Sequence, residues 1–207
     1  SMVVLMPICV ALTISKVPET KEHVKSTISP IKGFKLMLEN APFKRLILAF
    51  MFGGIALSIT TTLYLFFVTY VLNAEDLAIY MLTFFYISSF AAVPFWGWLS
   101  KIIGKHKAYI ASFTLIALSH PLYLLLGEGD FWWMLPITVL TGFAAGGFQA
   151  LPNSMKADVI DIDTLKSGEN RTALFFSTWS FTQKMAASLG SWLALTILAW
   201  VGFNTSP

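Results

Sequence analysis

Residues 172–203 read TALFFSTWSFTQKMAASLGSWLALTILAWVGF, and in these 32 positions only Lys184 carries a charge. A helix of about 20 apolar residues crosses a hydrocarbon core of roughly 30 Å. The stretch therefore predicts one membrane span, with residues left over for tilt or for extension into the headgroups. A helix entering from the charged segment before Thr172 places Lys184 about 18 Å along its axis. That is near the bilayer midplane, beyond snorkelling reach of either surface, where an ammonium is costly unless it faces water, a counter-ion or a substrate. Ser177, Ser180, Lys184, Ser188 and Ser191 follow at spacings of 3, 4, 4 and 3, so one stripe of the helix is polar. Phe175, Leu189, Leu193 and Leu195 are left for the other faces, and Trp179 and Gln183 are expected beside the stripe. The prediction is a wet cavity wall in mid-membrane; the alternative is a lysine locked by helix-end carbonyls or a buried pair.

The same bareness recurs upstream. Residues 46–72, 77–100, 109–127 and 131–153 hold no Asp, Glu, Lys or Arg, so with the last stretch 125 of 207 positions carry a single charged side chain. Charged residues make up 12% of the chain, against about 25% in soluble domains. No water-facing element is so poor in charge, which excludes a soluble enzyme. The expected fold class is all-α, a polytopic membrane helical bundle with five full spans over residues 46–203. Residues 1–15 are expected to be the end of a further transmembrane helix, because Met2 to Ser15 is apolar but short and lacks a basic leader and a small-residue cleavage site. Residues 204–207 are expected to form an extracytoplasmic tail.

The connections give a direction. Residues 16–45 carry Lys16, Lys21, Lys25, Lys32, Lys35, Lys44 and Arg45; Lys101, Lys105 and Lys107 form a second basic group, and Lys156, Lys166 and Arg171 a third. The intervening loops, Asn73 to Asp76 and Gly127 to Asp130, contain no Lys or Arg. Thirteen of the fourteen basic residues thus fall on alternate connections, the remaining one being Lys184, and the positive-inside rule places 16–45, 101–108 and 154–171 in the cytoplasm. The net charge of +3 then describes a cytoplasmic face and not a nucleic-acid surface. The sequon Asn170-Arg171-Thr172 would lie on the wrong side for glycosylation. Residues 31–38 mix apolar and basic side chains in a way that suits a short helix lying on the inner leaflet, or an ordinary linker with a turn of helix. Cys9 stands alone and forms no intrachain disulfide.

Further candidate site residues lie on other spans. Thr138, Gly142, Gly146, Gln149 and Asn153 share a stripe; the Gly142 to Gly146 pair permits close helix approach, and Gln149 brings an amide that seeks partners. Ser58, Thr60, Thr61, Thr62 and Thr69 can satisfy themselves on backbone carbonyls, whereas the Tyr64 phenol can both stack on a sugar ring and hydrogen-bond to it. Pro94 and His120-Pro121 are expected at helix irregularities, with His120 a packed residue. No span contains Asp or Glu, and no metal-ligand cluster, Ser-His-Asp set or phosphate-binding glycine loop is present in the sequence. No enzymatic chemistry, metal site or cofactor is expected.

One segment is specific enough to suggest a family. Leu151-Pro152-Asn153-Ser154-Met155-Lys156-Ala157-Asp158-Val159-Ile160-Asp161 continues through Lys166-Ser167-Gly168 and Asn170-Arg171-Thr172 to Leu174-Phe175-Phe176-Ser177, Trp179, Phe181 and Lys184. It resembles the signature joining helices ten and eleven of the glycoside–pentoside–hexuronide:cation symporters, the melibiose-permease-like branch of the major facilitator superfamily. Trp98-Leu99, Gly104-Lys105 and Tyr109 are a weaker match to that family's loop between helices eight and nine. The resemblance implies a partial major-facilitator fold, the end of helix six plus helices seven to eleven, with the amino-terminal half-bundle and helix twelve as missing partners. It further implies an integral protein of a bacterial inner membrane that takes up a sugar-like solute by symport with sodium or a proton. Carried onto this chain, Lys184 falls at the substrate and cation sites, with Gln149, Tyr64, Trp179 and Gln183 expected around the solute. Asp158, Asp161 and Arg171 fall in a cytoplasmic gate. The carboxylates that hold the coupling cation belong to the other half. Alternatives are a related facilitator for lipid or sulfonated solutes, a non-transporting membrane fragment, and a retinal protein with Lys184 as the Schiff-base lysine.

Overall fold

The computed structural model describes residues 39–203, together with Pro7 and Ser15. Apart from Pro7 and Ser15, the expected helix end at 1–15 lies outside the described residues, as do the interfacial helix at 31–38 and the tail at 204–207. Five long helices follow one another: α1 (Ala41–Phe66), α2 (Ala78–Ile103), α3 (Lys105–Ser119), α4 (Phe131–Ser167) and α5 (Thr172–Trp200). The fold is an all-α bundle, as expected.

Local chemistry sets the element ends. Asn40 caps α1, its Oδ1 accepting from the Phe43 N–H at 3.1 Å, with a proline in the first turn; this satisfies an amide the helix cannot bond itself. The helix closes in a π turn, Phe67–Val71. Gly104, at φ 89°, breaks the chain sharply between α2 and α3, a conformation that side chains disfavour. Pro94 lies within an unbroken α2, while His120-Pro121 opens a 3₁₀ segment, His120–Leu125, that prolongs α3.

Packing is by small residues and aromatic wedges. α4 lies between α2 and α3, and α1 pairs with α5. A Cβ on Gly142 would stand 2.5 Å from the Phe85 carbonyl oxygen of α2, and one on Gly146 would meet the Ser89 oxygen closer still. The glycine pair is therefore a packing surface. Gly190 plays the same part on the other seam, where a Cβ would come within 2.6 Å of the Ile55 oxygen. Around these contacts Phe50 stacks on Trp179 at 4.1 Å, and Phe43 meets Phe175 edge-on at 4.6 Å. Trp96 donates its indole N–H to the Phe143 carbonyl at 2.7 Å.

The outer surface is apolar: Phe90, Leu124, Leu165 and Trp200 are each more than 80% exposed, far beyond what a water-facing monomer shows. Trp132 and Trp133 at the start of α4 and Trp200 at the end of α5 are exposed, the side-chain type that forms aromatic belts at membrane–water interfaces. Among the described residues four helical stretches are long and apolar enough to cross a membrane, Ala41–Val71, Glu75–Ile103, Lys105–Leu125 and Phe131–Ser167. At 29 residues α5 matches them in length; its serines, Gln183 and Lys184 lower its apolarity.

A second difference concerns residues 154–171, read from sequence as a connection. Ser154 through Ser167 continue α4, which runs 37 residues, about 55 Å, before Gly168 ends it at φ 70°. Met155, Val159 and Ile160 are buried on one side of this extension. An apolar stripe holds the helix past the point where its charges begin.

Candidate functional site

The orientation of α5 follows from its period. Phe175, Trp179, Thr182, Ala186, Gly190 and Ala194 are buried in the bundle, and this seam rests on α1 through Phe43–Phe175, Phe50–Trp179 and the approach of Gly190 to Ile55. Ser177, Ser180, Lys184 and Ser188 are exposed on the roughly opposite face, given about 100° per residue. No described helix covers that face. Ser191 leaves the stripe: it meets the Ser58 hydroxyl at 3.1 Å and accepts from Thr62 at 3.0 Å. The expectation that Trp179 stands beside Lys184 is corrected. Five residues of α-helix turn about 140° past a full rotation, and Trp179 is 5% exposed, in the core against Phe50. Gln183 is exposed on α5 and Gln149 on α4. The Tyr64 hydroxyl donates to the Ala78 carbonyl at 2.8 Å. Of the five residues expected around a solute, Gln149, Gln183 and Lys184 are exposed, Trp179 is core, and Tyr64 ties α1 to α2.

Where α4 and α5 converge stands a lysine whose burial neither its place among the basic connections nor the signature segment foretells. Lys156 is 3% exposed. Its Nζ stands 4.1 Å from the Phe176 ring centroid and 4.7 Å from that of Trp179, and it donates to Asn153 Oδ1 at 3.3 Å. Two ring faces and an amide hold the ammonium, and no carboxylate pairs with it among the described residues. The signal was present in sequence as Asn153 and Lys156 one turn apart, facing Phe176 and Trp179 one turn apart. Only the helical extension of α4 brings the two pairs together.

The expected gate residues fall into separate contacts. Asp158 forms a bidentate pair with Lys105 at 2.6 and 2.7 Å, half in solvent, linking α4 to α3. Arg171 does not reach Asp158 or Asp161; its Nε lies 3.1 Å from Asp163 Oδ2, with both side chains below 10% exposure. The other Asp163 oxygen accepts from Asn40 Nδ2 at 3.3 Å. Asn40, Asp163 and Arg171 therefore fasten the start of α1, the end of α4 and the start of α5 into one knot. Asp161 is exposed and forms no ion pair among the described residues.

A cavity of about 280 Å³ lies between α1, α2, α4 and the end of α3, walled mainly by aliphatic and aromatic side chains, with Tyr64, His120, Tyr123, Thr138 and Thr141 among its lining. No lining residue is charged and none comes from α5. Among the described residues no group of three His, Cys, Asp or Glu side chains could hold a metal ion.

Comparison with known proteins adds relatives to this geometry. The family described as "MFS/sugar transport protein" matches residues 1–207. An uncharacterized symporter of Bacillus subtilis, YjmB, is 27% identical over 196 residues, covering 93% of this chain and 40% of its own. The human sodium-dependent lysophosphatidylcholine symporter 1 is 25% identical, covering 96% of this chain and 37% of its own. The sphingosine-1-phosphate transporter MFSD2B of Xenopus tropicalis is 25% identical, covering 84% and 34%. The chain spans about two fifths of the length of the relatives it matches.

Proposed function

The chain belongs to the MFS/sugar transport protein family, and from that premise we propose that it forms the carboxy-terminal half-bundle of a cation-coupled symporter. The observation that carries this is the bare face of α5: an exposed polar stripe with Lys184 at its centre, on a helix whose opposite side is fixed in the bundle. A charged group at that depth needs a wet pathway or a counter-ion. A second half-bundle facing it, rocking against this one around a midplane site, supplies both. In the relatives the matched region is likewise two fifths or less of the protein.

In this reading Lys184 pairs with carboxylates of the facing half when no cation is bound and gives them up when sodium or a proton takes its place. Coupling follows because solute and cation each change what the other finds available. Gln183 and Gln149, both exposed, are the amides placed to meet a polar solute. The buried Asp163–Arg171 knot holds α4 and α5 at a fixed angle. Lys105–Asp158, half in solvent, is the pair able to open as the halves part.

Two solute classes have support. The signature over residues 151–184 favours a sugar or glycoside, as in the melibiose-permease-like branch. The relatives named for lysophosphatidylcholine and sphingosine-1-phosphate favour an amphiphile. Uptake by the full-length protein in proteoliposomes, with a sodium or proton gradient imposed and either a radiolabelled glycoside or a lysolipid supplied, decides between them. The expected result is accumulation of one class that collapses when the gradient is removed. Equal uptake with and without a gradient overturns the symport reading.

A further inference from the structure

The cavity beside α1, α2 and α4 draws nothing from the α5 face and has a chemistry of its own. It has no charged lining residue, and an unpaired ion moved into such surroundings is strongly penalised. A sugar fits no better, because it carries hydroxyls along its whole length and most of this wall offers them nothing. The hydroxyls along the α1 wall are already committed: Tyr64 to the Ala78 carbonyl, Thr60 to Ala56 and Thr61 to Leu57. Those bonds use the donors of that wall; a cluster offering both a donor and an acceptor stands at Tyr123. Tyr123 Oη lies 3.2 Å from Thr141 Oγ1 and 3.4 Å from Thr138 Oγ1, while Thr141 donates to the Ile137 carbonyl at 2.9 Å. A phenol flanked by two threonines keeps an acceptor and a donor for one further group. His120, also in the lining, sets Nδ1 2.8 Å from the Ile116 carbonyl, which fixes the proton on that nitrogen and leaves Nε2 as an acceptor.

The surrounding backbone is irregular on both sides. The π turn Phe67–Val71 and the 3₁₀ segment His120–Leu125 flank the cavity, and they contribute Phe67 and Tyr123, whose rings meet edge-on at 5.9 Å. Departures of this kind from α-helix often mark functional places. At about 280 Å³ the space stands at the lower edge of the roughly 300–1,000 Å³ typical of small-ligand pockets. It holds one chain and not a two-chain lipid.

We propose that this cavity binds a single unbranched alkyl chain ending in a neutral hydrogen-bonding group, such as a hydroxyl, seated on the Tyr123–Thr138–Thr141 cluster. An alkyl chain gains little by moving from lipid to an equally apolar wall. Selection therefore rests on the end group, whose hydrogen bonds are strengthened by mainly apolar surroundings. Such a chain has two sources, a bilayer lipid or a free solute, and the site does not depend on coupled transport.

The test is photolabelling of the full-length protein in lipid nanodiscs with a diazirine-bearing decan-1-ol, adducts being mapped by mass spectrometry. Adducts are expected in peptides containing Tyr64, Phe85 and Tyr123, suppressed by unlabelled decan-1-ol but not by equal concentrations of decane or decanoate. Replacing Thr138→Val and Thr141→Val together is expected to cut labelling about tenfold, the worth of roughly one good hydrogen bond. Leu82→Trp narrows the cavity without touching the hydroxyls and is expected to cut labelling too, so it reads the site even if the double variant fails to fold. A parallel arm uses a monoacylglycerol with the diazirine on its single chain, incorporated in the nanodisc bilayer. Labelling in that arm assigns the occupant to the bilayer, and labelling by free alcohol alone assigns it to a solute. Adducts spread over the exposed faces, competition by decanoate equal to that by decan-1-ol, or wild-type labelling in both variants overturns the proposal.

Discussion

Lys156 and Lys184 show two ways of keeping an ammonium on a membrane helix. Lys156 is buried against two aromatic faces and an amide, contacts worth about 0.5–2 kcal/mol for each cation–π pair depending on desolvation. Lys184 is exposed on an uncovered polar stripe. Trp179 serves the first and not the second, and it also stacks on Phe50. Trp179→Ala is expected to cost about 3–5 kcal/mol, the usual loss for a large core aromatic, seen as an early unfolding transition in detergent. Phe181→Ala, on an exposed neighbour, should leave that transition in place. The two ion pairs on the last turns of α4 separate by burial in the same way. Asp163→Asn strands Arg171 below 10% exposure, and breaking a buried pair costs about 3–5 kcal/mol. Asp158→Asn breaks a pair half in solvent, for which about 0–1 kcal/mol is expected. Thermal melts of the two variants side by side measure the difference, and equal melting points would mean that burial does not rank these pairs.

At the scale of elements, α4 is the post against which α2 and α3 lean, and Gly142 and Gly146 set how closely α2 approaches. Gly146→Leu is expected to push the two helices apart and abolish monodisperse elution. Gly97→Ala, where nothing lies within 4 Å of the added carbon, should behave as wild type, and size-exclusion profiles of the two distinguish them. The spans of α1 to α4 were legible as runs without charge, because a bilayer imposes that composition residue by residue. The end of α4 was not. Lys156, Asp158, Asp161 and Asp163 signal an exit from hydrocarbon, but leaving lipid does not end a helix while Met155, Val159 and Ile160 still find a core. The placement of Trp179 was open to arithmetic, since five residues of helix cannot share a face. The partners of Arg171 and Lys156 were not, because they come from different helices and depend on that extension.

For the molecule as a whole, the alternation of basic connections predicts an orientation that can be measured directly. In a cysteine-free background, Glu128→Cys is expected to react with a membrane-impermeant maleimide added outside intact cells. Lys166→Cys is expected to react only after permeabilisation; the reverse pattern would invert the bundle. The chain belongs to the MFS/sugar transport protein family, and in the proposed reading the polar stripe of α5 is what a second half-bundle meets. What that encounter accomplishes turns on Lys184. Gradient-driven solute accumulation by the full-length protein with Lys184→Ala, measured beside wild type at matched expression, is the most direct test: the account predicts that accumulation falls to the level seen without a gradient, and accumulation equal to wild type would contradict it.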